Sequence, residues 1–137
     1  MAIKMSSLEG ELHAIGKSKP RANASKGHRL AIKIIREILP STKIMEEVSV
    51  KISNVQKARQ YLDIYLPDRD LVVEVHGRQH SEYVPHFHGT KRNFLRCQAA
   101  DRAKNLWCEL NDLELVELFH NETEDEWRDK IKRGIGR

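Results

Sequence analysis

The sequence contains no apolar run long enough to cross a bilayer, and its start, residues 1–20, lacks the apolar core of a secretory signal. These two absences predict a cytoplasmic protein with no membrane partner. Cysteine is scarce, since only Cys97 and Cys108 occur. They fall on one predicted helix, too far apart along its axis to form a disulfide, so we expect both to be reduced.

What the chain does contain is typical of one soluble globular domain, with 39% hydrophobic and 32% charged residues in a length of 137. We predict a domain over residues 25–137, preceded by a basic N-terminal arm over residues 1–24. The net charge of +4 is only a weak pointer to nucleic acid. Its distribution is more informative, because basic residues crowd the arm and its junction with the domain. A solvated, disordered arm explains the same residues equally well.

The stretch Tyr61–His80 organises the predicted fold. Two segments with the alternation of β-strands flank the turn formers Pro67–Asp70, which is a hairpin pattern. The predicted pairs are Leu66 with Leu71, Tyr65 with Val72, Ile64 with Val73 and Asp63 with Glu74. Directly opposed residues lie on one face of a sheet, and His76 lies two residues beyond Glu74. The hairpin therefore brings two carboxylates and an imidazole together.

Opposed carboxylates destabilise a sheet unless something offsets their repulsion. A hard divalent cation such as Mg²⁺ would do so, because it prefers carboxylate oxygens and keeps several waters. The alternative is that Asp63 and Glu74 lie on a solvated face and keep an edge strand soluble. We favour the metal, because Asp63 is flanked by large apolar residues and Glu74 interrupts an otherwise apolar strand.

The remaining elements complete an α/β (α+β) fold with a central mixed sheet of about four strands flanked by helices. The predicted elements are a helix from the N-cap Ser25 to before Pro40, a strand over Ile44–Val50, a helix over Thr90–Leu110, a strand over Leu113–Phe119 and a last helix from the capping box at Thr123 to about Lys132. The strand before the last helix should lie parallel to Leu71–His76. The long helix has its predicted buried face at Leu95, Ala99, Ala103, Leu106 and Leu110.

This order of elements, with Asp63 and the Glu74-x-His76 pattern, is similar to the PD-(D/E)XK nuclease core. The string from Val72 to His80, VVEVHGRQH, resembles the very-short-patch mismatch repair endonuclease branch. The resemblance implies a restriction-endonuclease-like core and a DNA endonuclease that uses Mg²⁺, for which Mn²⁺ substitutes. His76 stands where most of these enzymes have Lys, and His28 stands where many have an early Glu.

The resemblance also implies roles for individual residues. The catalytic candidates are Asp63, Glu74, His76 and His80, and the metal ligands are Asp63, Glu74 and the main-chain carbonyl of Val75. Either histidine can act as the general base, because imidazole titrates near neutral pH. The candidate DNA contacts are Lys17, Lys19, Arg21, Lys26, Arg78, Lys91 and Arg92. Further candidates are His28, Gln79 and Glu47; His28 can equally cap its helix or contact DNA.

Two other classes of function stay open at this stage. A structural zinc ion would draw its ligands from His76, His80, His86, His88 and Cys97 and make the chain a DNA-binding module without catalysis. Against zinc, no compact pair of ligands framed by turns occurs, and zinc leaves Asp63 and Glu74 unexplained. The second alternative is an inactive relative of the nucleases that binds other proteins. The oligomeric state does not follow from the sequence.

Overall fold

The computed structural model describes residues 25–51, 60–77 and 85–136. Its helices and strands are α1 (Lys26–Ile38), β1 (Met45–Val50), β2 (Gln60–Leu66), β3 (Leu71–His76), α2 (Pro85–His88), α3 (Lys91–Leu110), β4 (Glu114–Phe119) and α4 (Glu124–Ile135). The predicted N-terminal arm lies outside the described residues. In the described part of the chain, no helix combines the length and the apolarity needed to span a bilayer.

The four strands form one mixed sheet in the order β1-β2-β3-β4, which confirms the predicted fold class. The first three strands are antiparallel neighbours, and β4 lies parallel to β3. The predicted hairpin register is confirmed from Leu66 with Leu71 to Ile64 with Val73. Its turn is a short 3-10 segment, Pro67–Arg69, followed by Asp70 in the left-handed region at φ 49°. This turn fixes which side chains of β2 and β3 meet.

Helices cover both faces of the sheet, so the core has two parts. On one side α1 and α4 pack against the sheet, with Ile34, Ile35, Trp127 and Ile131 among the buried residues. On the other side α3 contributes Trp107 and Cys108 to a smaller cluster. Burial of these side chains supplies the main stabilisation of the fold, because apolar area removed from water is its largest favourable contribution. The result is a layered arrangement with the sheet in the middle.

The helix starts follow the capping signals in the sequence. Ser25 Oγ accepts a hydrogen bond from the His28 N–H, and Thr90 Oγ1 accepts one from the Asn93 N–H. At the start of α4, Thr123 and Glu126 exchange side-chain and main-chain hydrogen bonds, which confirms the predicted capping box. Each cap satisfies N–H groups that have no partner within the helix.

The predicted buried face of α3 is wrong. Leu95, Leu106 and Leu110 are 60%, 56% and 66% exposed, respectively, whereas Trp107 and Cys108 are buried. The physical reason is that the inner face of α3 covers a polar part of the sheet. Leucine content therefore does not mark its buried side, and the inward-facing residues include charged groups.

The outer edge of β4 is closed by side chains from the turn that follows it and from α4. Glu122 Oε1 accepts the Phe119 N–H at 2.7 Å, and Trp127 Nε1 donates to the Phe119 carbonyl at 3.0 Å. Lys130 Nζ donates to the Glu117 carbonyl at 2.9 Å. These bonds occupy main-chain groups that an edge strand would otherwise offer to another strand.

Candidate active site

The carboxylates of Asp63 and Glu74 meet where the ladder between β2 and β3 gives way to side-chain bonds. Glu74 Oε2 accepts the Asp63 N–H at 2.7 Å, and Asp63 Oδ2 accepts the Val75 N–H at 2.8 Å. Each carboxylate thus binds the main chain of the opposite strand. The structure brings together the two acidic residues that the hairpin register sets opposite each other.

Both β1 and β2 are irregular next to this pair of hydrogen bonds. Alternation along β2 would place Leu62 in the same core cluster as Ile64, yet Leu62 packs with Val48 in the cluster on the α3 side. Asp63 lies between Leu62 and Ile64, at the point where the alternation of side chains between the two faces of the sheet breaks. On β1, Glu47 has a φ of 48°, so this strand is also irregular next to the site. Such irregularities in a sheet redirect side chains and main-chain donors.

Lys104 reaches this pair from α3. Its Nζ lies 2.7 Å from Glu74 Oε1 and 2.8 Å from the Tyr61 carbonyl oxygen. The side chains of Lys104 and Glu74 are only 14% and 5% exposed, so the ion pair is largely withdrawn from water. The sequence analysis did not identify Lys104, because the residue lies outside the predicted buried face of α3. The available signal was its spacing of three and four residues from Trp107 and Cys108, which places all three on one helix face.

Burial and neighbouring charges shift the pKa of both Glu74 and Lys104. Burial and the nearby Asp63 charge together raise the pKa of Glu74 to about 7, although the charge and hydrogen bond of Lys104 lower it. Burial alone would lower the pKa of Lys104, but the charge and hydrogen bond of Glu74 outweigh burial, and its pKa is raised. Lys104 is therefore a cation when it contacts the carboxylate. Perturbed groups of this kind concentrate at functional sites.

His76 lies at the end of β3 and contacts the neighbouring strand β4. Its Nε2 lies 3.1 Å from Glu117 Oε1, and its ring stacks on Phe119 with centroids 5.0 Å apart. Burial lowers the pKa of His76, but the Glu117 hydrogen bond and the charges of Asp101, Glu117 and Glu74 raise it overall. The same hydrogen bond lowers the pKa of Glu117.

Glu117 was not among the predicted site residues. It pairs in register with Glu74 across the parallel strands, so the two side chains lie on the same face of the sheet. A carboxylate accepts hydrogen bonds only, so the Glu117 contact fixes the proton of His76 on Nε2. In the sequence, only the alternation of Glu117 with Val116 and Leu118 indicated on which face of the sheet Glu117 lies.

The further candidates are distributed as follows. His28 is buried, and its Nε2 lies 2.7 Å from Glu46 Oε1 at the start of β1. This contact uses His28 for a bond between α1 and the sheet; the helix cap is supplied by Ser25. Glu47 is half-buried, whereas Lys26, Lys91 and Arg92 are exposed. The candidates that lie outside the described residues are Lys17, Lys19, Arg21, Arg78, Gln79 and His80.

The donors around Asp63 suit a hard cation. The Val75 N–H points to Asp63, and the carbonyl of a strand residue points to the same side as its N–H, so the Val75 carbonyl also faces β2. Two carboxylates and a carbonyl are oxygen ligands, and Mg²⁺ completes its shell with water. Among the residues that the structure describes, no group of three His, Cys, Asp or Glu side chains is arranged to hold a metal. From the described residues, the protein would thus supply two side chains, Asp63 and Glu74.

The zinc alternative gains nothing from the described residues. His88 is buried and packs edge-to-face on Phe94, with ring centroids 5.0 Å apart, whereas Cys97 is exposed. A structural zinc site needs four protein ligands, and the described ranges contain no cluster of even three. Of the proposed zinc ligands, His80 and the side chain of His86 lie outside what the structure describes.

Comparison with known proteins gives one partial match. No family model and no solved structure match the chain. Uncharacterized protein 307L of Invertebrate iridescent virus 6 is 39% identical over 57 residues, which are 42% of this chain and 29% of the viral protein. The chain thus spans less than a third of that protein's length. The comparisons show no family, and the resemblance to PD-(D/E)XK nucleases stays a prediction from the residues.

Proposed function

We propose that the chain is a metal-dependent DNA endonuclease that hydrolyses phosphodiester bonds at Asp63 and Glu74. The observation that carries this proposal is that each carboxylate accepts a main-chain N–H of the opposite strand, Glu74 from Asp63 and Asp63 from Val75, with Lys104 bound to Glu74. A buried ion pair next to a second carboxylate is expensive and contributes little stability. A site that binds a phosphate needs positive charge close to it, and this need would explain the arrangement.

Asp63, Glu74 and the Val75 carbonyl would hold Mg²⁺, with Mn²⁺ as a substitute. The bound ion would supply Lewis-acid stabilisation of the phosphate and a lower pKa for a bound water. The chain contributes the fixed positions of these donors. Because each carboxylate is tied to the main chain of the opposite strand, the donors are held by the sheet itself and need little rearrangement.

Lys104 has two tasks in this proposal. Without a metal, its ammonium group neutralises Glu74 and lets the carboxylate stay ionised in a buried place. When a cation takes over that neutralisation, the ammonium group is free to turn to the phosphate, where it would stabilise negative charge that develops during hydrolysis. The lysine that most PD-(D/E)XK enzymes carry at the position of His76 thus has a counterpart that comes from α3.

His76 is the histidine within the described residues that we assign to proton transfer. Glu117 holds its Nε2 proton, so the neutral ring takes up a proton at Nδ1. The raised pKa of His76 favours the imidazolium form, which can instead hold the phosphate or protonate the leaving oxygen. His80 is the other candidate for these steps.

The test is cleavage of supercoiled plasmid and of linear duplex in Mg²⁺ or Mn²⁺. Asp63→Asn and Glu74→Gln each keep the side-chain size and should lower the cleavage rate on the order of 100-fold or more. Lys104→Met should lower it as well. The matched control is Asp68→Asn in the turn of the same hairpin, where the side chain is exposed and the rate should stay at the wild-type level.

Circular dichroism of each variant separates lost activity from lost fold. Wild-type cutting by both Asp63→Asn and Glu74→Gln would refute the site. A folded wild-type chain that cuts no DNA with either metal would refute the enzyme and favour an inactive relative.

A further inference from the structure

The solvent side of α3 carries a continuous apolar stripe. Its members are Leu95, Ala99, Ala103, Leu106 and Leu110, which we call the α3 stripe. At 100° per residue they fall within an arc of about 80°, and they extend over roughly 22 Å of helix. The three leucines are each more than half exposed. Single exposed leucines are common, but an aligned set on one helix is typical of a helix-pairing surface.

The inner face of α3 is already used by the sheet. Lys104, Trp107 and Cys108 point to the core, so the α3 stripe lies on the far side of the helix. Within the described residues, the three leucines of the stripe are largely unpacked, and only Ala103 of the stripe is half-buried. Exposed apolar side chains lower the solubility of a single chain. Burial against another surface would remove this apolar area from water.

We propose that the α3 stripe is the interface of a homodimer in which two α3 helices pair in antiparallel orientation. Spacings of four, four, three and four residues along the stripe match a seam between two helices. The two adjacent small residues near the middle of the stripe, Ala99 and Ala103, let the helix axes approach closely. The occupant is a second copy of this chain, because a two-fold axis lets one apolar stripe cover another of the same shape.

Charge favours the antiparallel orientation. Exposed basic residues occupy the first part of α3, whereas exposed acidic residues follow at its end. The basic residues are Lys91, Arg92 and Arg96, and the acidic residues are Glu109 and, in the turn after the helix, Asp112. Antiparallel pairing brings the acidic end of one helix beside the basic end of the other and also opposes the helix dipoles. Parallel pairing would put like charges side by side.

The two-fold arrangement fixes which residues meet. Leu95 lies level with Leu110 of the second copy, and Ala99 lies level with Leu106. The axis passes next to Ala103, whose small side chain suits the closest approach. Arg102 borders the seam there and can extend its guanidinium to solvent along the stripe.

Strand addition at β4 is a poorer route to a dimer. Glu122, Trp127 and Lys130 already bind main-chain groups on the outer edge of that strand. A second copy would have to displace these bonds before a new strand pairing forms. The α3 stripe needs no such displacement.

The first test is sedimentation of the full chain over roughly 1 μM to 1 mM, the range of weak but specific association. We expect a species of twice the 15.9 kDa mass of one chain at the upper concentrations. Leu106→Glu should abolish it without loss of fold, because this side chain is exposed. Cys97→Glu adds the same charge to an exposed position on the opposite side of α3 and should leave the dimer intact.

The second test is cross-linking in a Cys97→Ser background. Ala103→Cys should form a disulfide-linked dimer, because the two copies of this residue flank the axis. Leu95→Cys should not, since its two copies lie at opposite ends of an antiparallel pair. Cys108 does not interfere, because burial raises the pKa of its thiol to about 12.

Three results would overturn the proposal. They are a monomer at every concentration, a dimer that Leu106→Glu leaves unchanged, and a Leu95→Cys dimer as efficient as that of Ala103→Cys, which would indicate parallel helices. A monomer would mean that another part of the same chain covers the stripe. All readouts are independent of DNA cleavage, so the dimer and the enzyme can fail separately.

Discussion

Glu74 combines deep burial, a neighbouring carboxylate and a pKa raised to about 7. The Asp63 N–H and the Lys104 ammonium group offset part of the cost of its charge. An apolar side chain of similar size would suit this position better for stability alone, because buried ion pairs rarely repay their desolvation. The residue thus breaks a local rule of strand composition, and such breaks concentrate where a protein carries out chemistry.

Glu122 provides a residue-scale prediction of pH dependence. Partial burial raises the pKa of Glu122, but the Lys130 and Phe119 N–H hydrogen bonds outweigh it and the net pKa is lowered from 4.5. A carboxyl group with a lower pKa in the folded state stabilises the fold above its unfolded pKa, and this contribution is lost as the pH falls through the folded value. Acid should therefore weaken the bonds at the end of β4.

We expect Glu122→Gln to lower the free energy of unfolding by about 1 kcal/mol at pH 7, since the pair is partly screened by solvent. Below pH 4.5 the difference from wild type should shrink toward zero. Urea unfolding of the variant and of the wild type, at pH 7 and below pH 4.5, measures this difference in the free energy of unfolding. Asp129→Asn, at an exposed position of α4, controls for the loss of one negative charge. An equal deficit of Glu122→Gln at both pH values would contradict this account.

At the scale of elements, the hairpin and α3 show what local sequence can determine. Turn length and a two-residue period fix the register of β2 and β3, and both are properties of adjacent residues. The predicted register set Asp63 opposite Glu74, and the two meet just beyond the observed ladder, through side-chain bonds to the main chain. The buried side of α3 depends instead on the sheet that it covers, which is remote in sequence.

The contrast between local and remote determinants also explains why the sequence analysis missed Lys104 and Glu117. The apolar period of α3 belongs to its exposed stripe, whereas Lys104 lies on the inner face with Trp107. Glu117 depends on the parallel pairing of β3 with β4, which brings it beside His76 from 41 residues away in sequence. Local spacing indicates the face on which each of these two residues lies, but not the partner that it contacts there.

The packing of α4 on the sheet gives an element-scale prediction at Gly134. A Cβ atom there would lie 2.6 Å from Val116 Cγ2 and 3.1 Å from Leu71 Cδ1. Valine in a strand has little freedom to turn aside, so the helix must shift. Gly134→Ala should lower the free energy of unfolding by about 1 to 3 kcal/mol, although alanine is the better helix former.

Gly136→Ala is the matched control at the end of the same helix. Gly136 has a φ of −73°, which alanine adopts readily, and its added Cβ would lie 3.3 Å from the Lys132 carbonyl oxygen, with no side chain within 4 Å. We expect a change within about 0.5 kcal/mol. Chemical unfolding of both variants provides the comparison, and equal stabilities would mean that α4 does not pack as closely on β4 as described.

At the scale of the whole molecule, charge is divided between two regions. The acidic and imidazole groups of the candidate site lie between the sheet and α3, while exposed cations such as Lys26, Lys91 and Arg92 occupy the surface. The predicted arm adds Lys17, Lys19 and Arg21, which lie outside the described residues. In the proposed nuclease, such a basic surface would attract the phosphate backbone to a site whose own carboxylates would repel it.

The role of the arm can be measured as a salt dependence. Each phosphate contact with duplex DNA releases counterions, so log K falls with log salt by about 0.9 per contact. The full chain with Lys17→Gln, Lys19→Gln and Arg21→Gln should therefore bind more weakly at low salt, with a slope smaller by roughly 2 to 3. Fluorescence anisotropy with a labelled duplex, in Ca²⁺ to prevent cleavage, measures both quantities.

The control is a triple variant with the same loss of charge at exposed positions of the domain, Lys43→Gln, Lys132→Gln and Arg133→Gln. It should keep the wild-type slope, because net charge alone acts at long range and is screened at moderate salt. If both triple variants reduce the slope equally, the arm contributes only general attraction. If neither does, the phosphate contacts come from other cations, and those on α1 and at the start of α3 would be the next to test.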